Sequence, residues 1–241
     1  MQLKSRKMSL KTNLRSLSEK LDSLNPLEGL SMLSDLFPDK VVFSTSLGQE
    51  DQVITQLIAD HKLPIHIFSL DTGRLFPETL DLIARTENKY KIRIDVLYPE
   101  RESVENLVSK NGINGFYESV EIRKACCFVR KVEPLKRALA GNSIWITGLR
   151  AEQSANRSEM RKIEWDEGNQ IIKFNPLLDW TFDQMIEYIN QNKIPYNPLH
   201  DKGFISIGCA PCTRAIEPGE DARAGRWWWE ESKKECGLHA K

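Results

Sequence analysis

No stretch of the 241 residues approaches the roughly 20 consecutive apolar residues needed to cross a bilayer, so the sequence offers no transmembrane helix. Charge of one sign is not in excess either. Thirty-four Lys and Arg balance 34 Asp and Glu, for a formal net charge of zero. That balance argues against broad electrostatic binding to nucleic acid or to an anionic membrane surface. The N-terminal stretch MQLKSRKMSLKTNLRSLSEKL has basic residues but no apolar run, so it does not read as a secretory signal. The expected compartment is the cytoplasm. Internal repeats and low-complexity segments are missing as well. Cysteine is scarce at five residues. In a reducing compartment, where structural disulfides are rare, five cysteines read first as metal or redox chemistry. Scattered buried thiols are the plainer alternative.

The rest of the chain is long enough to bury a sizeable core. Leu10, Leu14, Leu17, Leu21 and Leu24 recur at helical spacing and predict an amphipathic helix over 9–24. A second short helix is expected over 27–36, ending before Pro38. Strand-like and helix-like stretches then alternate: VVFSTS (41–46), EDQVITQLIADH (50–61), IHIFSLD (65–71), a helix beginning at Pro77, RIDVLYP (93–99), RESVENLVSKNG, a helix around 127–140, and SIWITGL (143–149). KIEWDEGNQIIKF (162–174) reads as a hairpin turning at Glu167-Gly168-Asn169-Gln170, and Thr181 with Gln184 fits a capping box opening the next helix. The alternation predicts an α/β fold, a mostly parallel sheet with helices on both faces. The expected layout is N-terminal helices over 1–38, an α/β nucleotide-binding domain over 39–200, and a functional tail over 201–241 that is rich in Gly, Pro and Cys.

Two strand-to-helix turns fall where ligands bind in such sheets, at the carboxyl ends of strands. VVFSTSLGQED places Ser44, Thr45, Ser46 and Gly48 between a strand and a helix start, where free N–H groups favour an anion. The turn matches neither the phosphate-loop nor the dinucleotide fingerprint. LDTGRLFP offers Asp71 and Thr72 to a ribose or base. Each turn is also compatible with a well-capped loop.

Cys209 and Cys212 form a C-x-x-C, and Cys126 and Cys127 are adjacent. Adjacent cysteines fit one zinc ion poorly, because successive side chains on a helix diverge by about 100°. A cubane cluster has four separate irons, and all-thiolate ligation is normal for it. The four therefore look like ligands of a [4Fe–4S] cluster, with a labile disulfide or spare thiols as the alternative. On a continuous helix, Lys131 lies four residues after Cys127, on its face. Arg157, Arg223 and Arg226 fall at loop positions and suit oxyanion recognition where they converge. Cys236 stands apart, three residues before His239.

RKACCFVRKVEPL, WITGLRAEQSANRS, GFISIGCAPCTRAIEPGEDARAGRWWWE and the terminal KECGLH resemble the cluster-containing assimilatory adenylylsulfate (APS) reductases, from about residue 40 to the end. The resemblance implies an adenine nucleotide alpha hydrolase-like (PP-loop-like) fold. It also implies reduction of APS to sulfite and AMP, with a separate thioredoxin as electron donor, in sulfate assimilation and cysteine biosynthesis. On this resemblance Cys126, Cys127, Cys209 and Cys212 hold the cluster, and Cys236 is the nucleophile, with His239 beside it. Lys131, Arg157, Arg223 and Arg226 bind the phosphosulfate. The family's phosphate loop falls at Ser44–Asp51, but STSLGQED departs from S-F-S-G-A-E-D and is closer around Ser46–Gly48 to the cluster-free PAPS reductases. PAPS reduction, alone or beside APS, is therefore the first alternative. A PP-loop tRNA-thiolating ATPase is a second, disfavoured because the chain lacks S-G-G-x-D-S. A non-catalytic metal-binding scaffold with Trp227, Trp228 and Trp229 on a helix as a partner patch is a third. A homo-oligomer is compatible with all of these.

Overall fold

A computed structural model of the chain describes residue 11 and residues 14–153 and 160–231. A helical segment, α1, covers residues 14–21. Helix α2 (Pro26–Leu36) follows, opened by a capping box in which Asn25 and Glu28 satisfy each other's backbone N–H groups. Then come β1 (Val41–Thr45), α3 (Gln49–Asp60), β2 (His66–Leu70), α4 (Pro77–Tyr90), β3 (Asp95–Leu97) and α5 (Arg101–Asn111). Helix α6 (Val120–Cys127) runs through a π turn, Phe128–Val132, into α7 (Glu133–Leu139). The series closes with β4 (Ile144–Ile146), β5 (Ile163–Asp166), β6 (Ile171–Phe174) and α8 (Phe182–Gln191).

The strands form one sheet in the order β3-β2-β1-β4-β6-β5. Every pairing is parallel except β5 with β6, the expected hairpin. Alternation along the strands divides the core in two. Val41, Phe43, Ile144 and Ile146 face a large cluster shared with Leu30, Leu33, Ile54, Leu82 and Met185 of α2, α3, α4 and α8. Val42, Phe68 and Trp145 face a smaller cluster closed by Leu135 and Leu139 of α7. Helices therefore cover both faces, as the alternation of strand and helix patterns predicts. Thr181 and Gln184 form the expected capping box on α8. No helix among the described residues is long and apolar enough to cross a membrane.

Two local expectations fail. The helix around 127–140 is not continuous: it starts earlier, at Val120, and the π turn interrupts it directly after Cys127. A π turn carries an extra residue, so the i, i+4 stacking assumed for Lys131 on Cys127 no longer holds. The three tryptophans are not helical but lie in a bend and turn, held by an isolated antiparallel bridge from Thr213 to Arg226. Trp227 is buried in the core and Trp228 is 41% exposed.

Candidate active site

The chain runs from β1 outward to β2 and β3, then returns to place β4 on the other side of β1. That reversal opens a crevice at the carboxyl ends of β1 and β4, the usual ligand position in open parallel sheets. A cavity of about 500 Å³ occupies it. Ser44, Thr45, Ser46 and Gly48 form its floor, and Thr72 lines it from the β2 turn. Lys131, Arg223 and Arg226 converge on it from two further segments. Asp71 is not among its lining residues; its carboxylate instead accepts the Gly73 N–H at 2.7 Å within its own turn. Arg157, Cys236 and His239 lie outside the described residues.

The β1–α3 turn is built around a buried carboxylate. Asp51 accepts the Ser46 N–H at 2.5 Å and the Ser46 hydroxyl at 2.7 Å. Burial pushes its carboxyl up to about 6, against the lowering effect of the Ser46 hydrogen bonds. Gly148, in the loop after β4, packs directly on it, and a Cβ there would collide with the Asp51 carboxylate. Thr45 accepts the Leu47 N–H at 3.1 Å, holding Leu47 at φ 61°. Ser44 accepts the indole N–H of Trp145 at 2.8 Å. The hydroxyls predicted as ligand groups thus also organise their own loop. Gly48 caps α3 with no side-chain bond of its own, leaving the helix start open toward the cavity.

Behind the cavity lining, against Trp227 and Thr72, the four paired cysteines come together. Cys127, Cys209 and Cys212 are buried with Phe116 and Trp227, and Cys126 packs against this group. The Cys209–Cys212 turn is tied to the β2 turn: the Ala210 N–H donates to Arg74 O at 2.8 Å, and Cys209 Sγ lies 3.2 Å from Thr72 Oγ1. Arg130 of the π turn donates to Thr72 O at 2.6 Å. Burial pushes the Cys212 thiol up to about 12, with Cys209 beside it adding to the rise. Burial also raises Cys209, but the Lys131 ammonium, Thr72 and Arg226 outweigh it and leave that thiol below its ordinary value. Lys131 therefore faces the Cys209–Cys212 pair. Among the described residues no three His, Cys, Asp or Glu side chains close on a single metal ion.

Several cavity residues were not among the predicted site residues. Arg150 is buried, with Glu50 at 2.9 Å and Glu152 at 3.1 Å, and lies 5.7 Å from the centre of the Phe182 ring. His200 lines the cavity, and burial holds its imidazole below the ordinary value. Asn197 donates to Thr79 Oγ1 at 3.0 Å and accepts the Leu199 N–H at 3.0 Å, bracing that wall.

The phosphoadenosine phosphosulfate reductase domain matches residues 40–215. The chain belongs to this family of PAPS and APS reductases. An adenosine 5'-phosphosulfate reductase of Allochromatium vinosum is 57% identical over 202 residues, covering 83% of this chain and 79% of the relative. One from Agrobacterium fabrum is 52% identical over 225 residues, covering 93% and 86%. A phosphoadenylyl-sulfate reductase of Candida auris, solved as a phosphate complex, superposes with a TM-score of 0.71 at 31% identity, covering 86% of this chain and 97% of that one. Candida glabrata FMN adenylyltransferase shares the fold at a TM-score of 0.51 and 16% identity, covering 98% and 86%. The family's adenine nucleotide alpha hydrolase-like architecture is the six-stranded sheet described above.

Proposed function

We propose that the protein reduces adenosine 5'-phosphosulfate to sulfite and AMP, with Cys236 as nucleophile and thioredoxin as electron donor. One observation carries the reading: in a chain of this family, a nucleotide-sized cavity is lined by Lys131, Arg223 and Arg226, of which Lys131 and Arg226 act on the gathered Cys209 and Cys212 thiols. Bulk composition favours no RNA or membrane partner in competition.

The sulfur of APS is an electrophile bound through oxygen to a good leaving group. The Cys236 thiolate attacks that sulfur, the S–O bond to the phosphate breaks, and AMP leaves with the electron pair. The enzyme is left as an S-sulfocysteine. A thioredoxin thiolate then attacks Cys236 Sγ, sulfite departs, and a mixed disulfide forms. The second thioredoxin thiol resolves it, so the two electrons come from that dithiol and Cys236 returns as a thiol. A thiolate approaching a sulfonate meets like charge. Lys131, Arg157, Arg223 and Arg226 offset it and stabilise the charge that develops on the transferred group. The β1–α3 turn, with the open start of α3, receives the nucleotide's phosphate.

Cys126, Cys127, Cys209 and Cys212 are the proposed ligands of a [4Fe–4S] cluster. Four thiols gathered in one group, three of them buried, suit a centre whose irons are spread over several corners. When bound, the cluster supplies a cross-link between α6 and the 209–212 turn and a fixed charge beside Lys131. The test is incubation of the iron-loaded protein with thioredoxin and either APS or PAPS. Sulfite and AMP from APS, at higher kcat/KM than from PAPS, are expected. A preference for PAPS would move the protein to the other branch of the family.

A further inference from the structure

Arg123 and Glu230 lie 107 positions apart and form a bidentate ion pair, Nε to Oε1 at 2.8 Å and a terminal guanidinium nitrogen to Oε2 at 2.7 Å. Their side chains are 1% and 2% exposed, and neither lines the cavity. Burying two charges is costly, and an apolar pair of similar volume often holds a fold as well or better. A bidentate pair adds a single fixed geometry.

The contacts show what that geometry serves. The guanidinium carbon of Arg123 lies 4.6 Å from the centre of the Trp227 ring, and that of Arg226 lies 4.6 Å from the same ring. The Glu230 N–H donates to Trp227 O at 2.9 Å, and the Trp227 N–H donates to Cys212 O at 3.2 Å. Trp227 itself sits at φ 42°, a left-handed conformation that bulky residues rarely adopt and that persists only where neighbours impose it. On the far side, a Cβ at Gly208 would strike the Arg226 guanidinium. Contact is therefore continuous from Glu230 through Arg123 and Trp227 to Arg226, which lines the cavity.

We propose that Arg123 and Glu230 are positioning residues for Arg226. They hold Trp227 in its strained conformation and so fix the Arg226 guanidinium toward the end of the cavity that takes the substrate's sulfonate. The inference rests on the reading of APS as substrate and Arg226 as a sulfonate contact. Loosening the pair removes the sulfonate's share of binding and spares the share of the nucleoside and phosphate. A general structural prop would weaken both.

The experiment is equilibrium binding of APS and of AMP to the iron-loaded Cys236→Ser protein, which cannot turn over, with and without Glu230→Gln. The parent is expected to bind APS more tightly than AMP. Adding Glu230→Gln should lower APS affinity about tenfold, the size of one charged hydrogen bond, and leave AMP affinity within about twofold, an energy below that of a neutral hydrogen bond. An unchanged ratio of the two affinities, or an equal fall in both, would overturn the positioning role. A parent with no preference for APS would instead overturn the sulfonate assignment beneath it. If Glu230→Gln fails to fold, Glu230→Asp keeps a carboxylate opposite the Arg123 guanidinium, which also bonds Cys127, but shortens its reach and carries the same test. A selective loss of APS affinity is expected there too, and a preserved preference would refute the proposal.

Discussion

Asp51 shows how one buried carboxylate links loop geometry to pH. Its carboxyl sits at about 6 in the fold because burial disfavours the charged form. A folded value above the unfolded one means that the protonated form is the better folded. The contribution is complete below the unfolded value and is lost as pH rises through about 6. Over that window Asp51 should remove about 3 kcal/mol of stability. Denaturant titrations of wild type and Asp51→Asn at pH 4.5 and pH 7.5 check this, since about 2 kcal/mol of that loss falls between those two values. The variant loses a constant amount of hydrogen bonding but should show a flatter pH dependence, and parallel curves would mean that Asp51 does not titrate there. Gly208 makes a second case. A methyl group at this position displaces the Arg226 guanidinium, so Gly208→Ala should lower kcat/KM for APS at least about tenfold, by loss of one charged contact. The Ser44–Gly48 hydroxyls and the paired cysteines were legible from residue type and spacing. The Asp51 role was not, since ED at a helix start reads as ordinary N-terminal charge, and nothing local says that the carboxylate turns inward under Gly148.

At the level of elements, the alternating strand and helix patterns located every strand of the sheet and the Thr181–Gln184 cap of α8. The cap should act on stability alone. Thr181→Ala should cost about 1 kcal/mol, read as a lower Tm, with kcat unchanged. The interrupted helix from Val120 to Leu139 was not legible. CCFVRKVEPLK has the composition of a continuous helix, and proline at position 134 fits the first turn of α7 as well as it marks a break. What imposes the π turn is tertiary: Arg130 must reach Thr72 O while Lys131 faces the Cys209–Cys212 turn. A substitution that relieves the first demand tests this. Arg130→Leu should uncouple the β2 turn from the π turn and lower APS turnover by at least about tenfold, since a charged hydrogen bond is lost from a buried site.

Across the whole molecule, the sheet's reversal between β1 and β4 places the β1–α3 turn, the β2 turn, the π turn and the 206–227 segment around one cavity. The α/β class and this edge of the sheet could be inferred from pattern alone. The pairing of Arg123 with Glu230 and of Arg150 with Glu50 could not, because ion pairs about a hundred residues apart leave no periodic trace. A division of labour among the cysteines follows from the account. Four gather behind the cavity, and the fifth, Cys236, is the proposed nucleophile. Cys236→Ser should therefore abolish sulfite formation and leave the visible absorption of the iron-loaded protein unchanged, and a bleached variant would make Cys236 a ligand. The most direct measurement of the central claim is peptide mass spectrometry after mixing the iron-loaded protein with APS and no reductant. The account predicts one added SO₃ on the peptide carrying Cys236, matched mole for mole by released AMP and absent from the other four cysteines. AMP release with no adduct, or an adduct on any of Cys126, Cys127, Cys209 or Cys212, would contradict it.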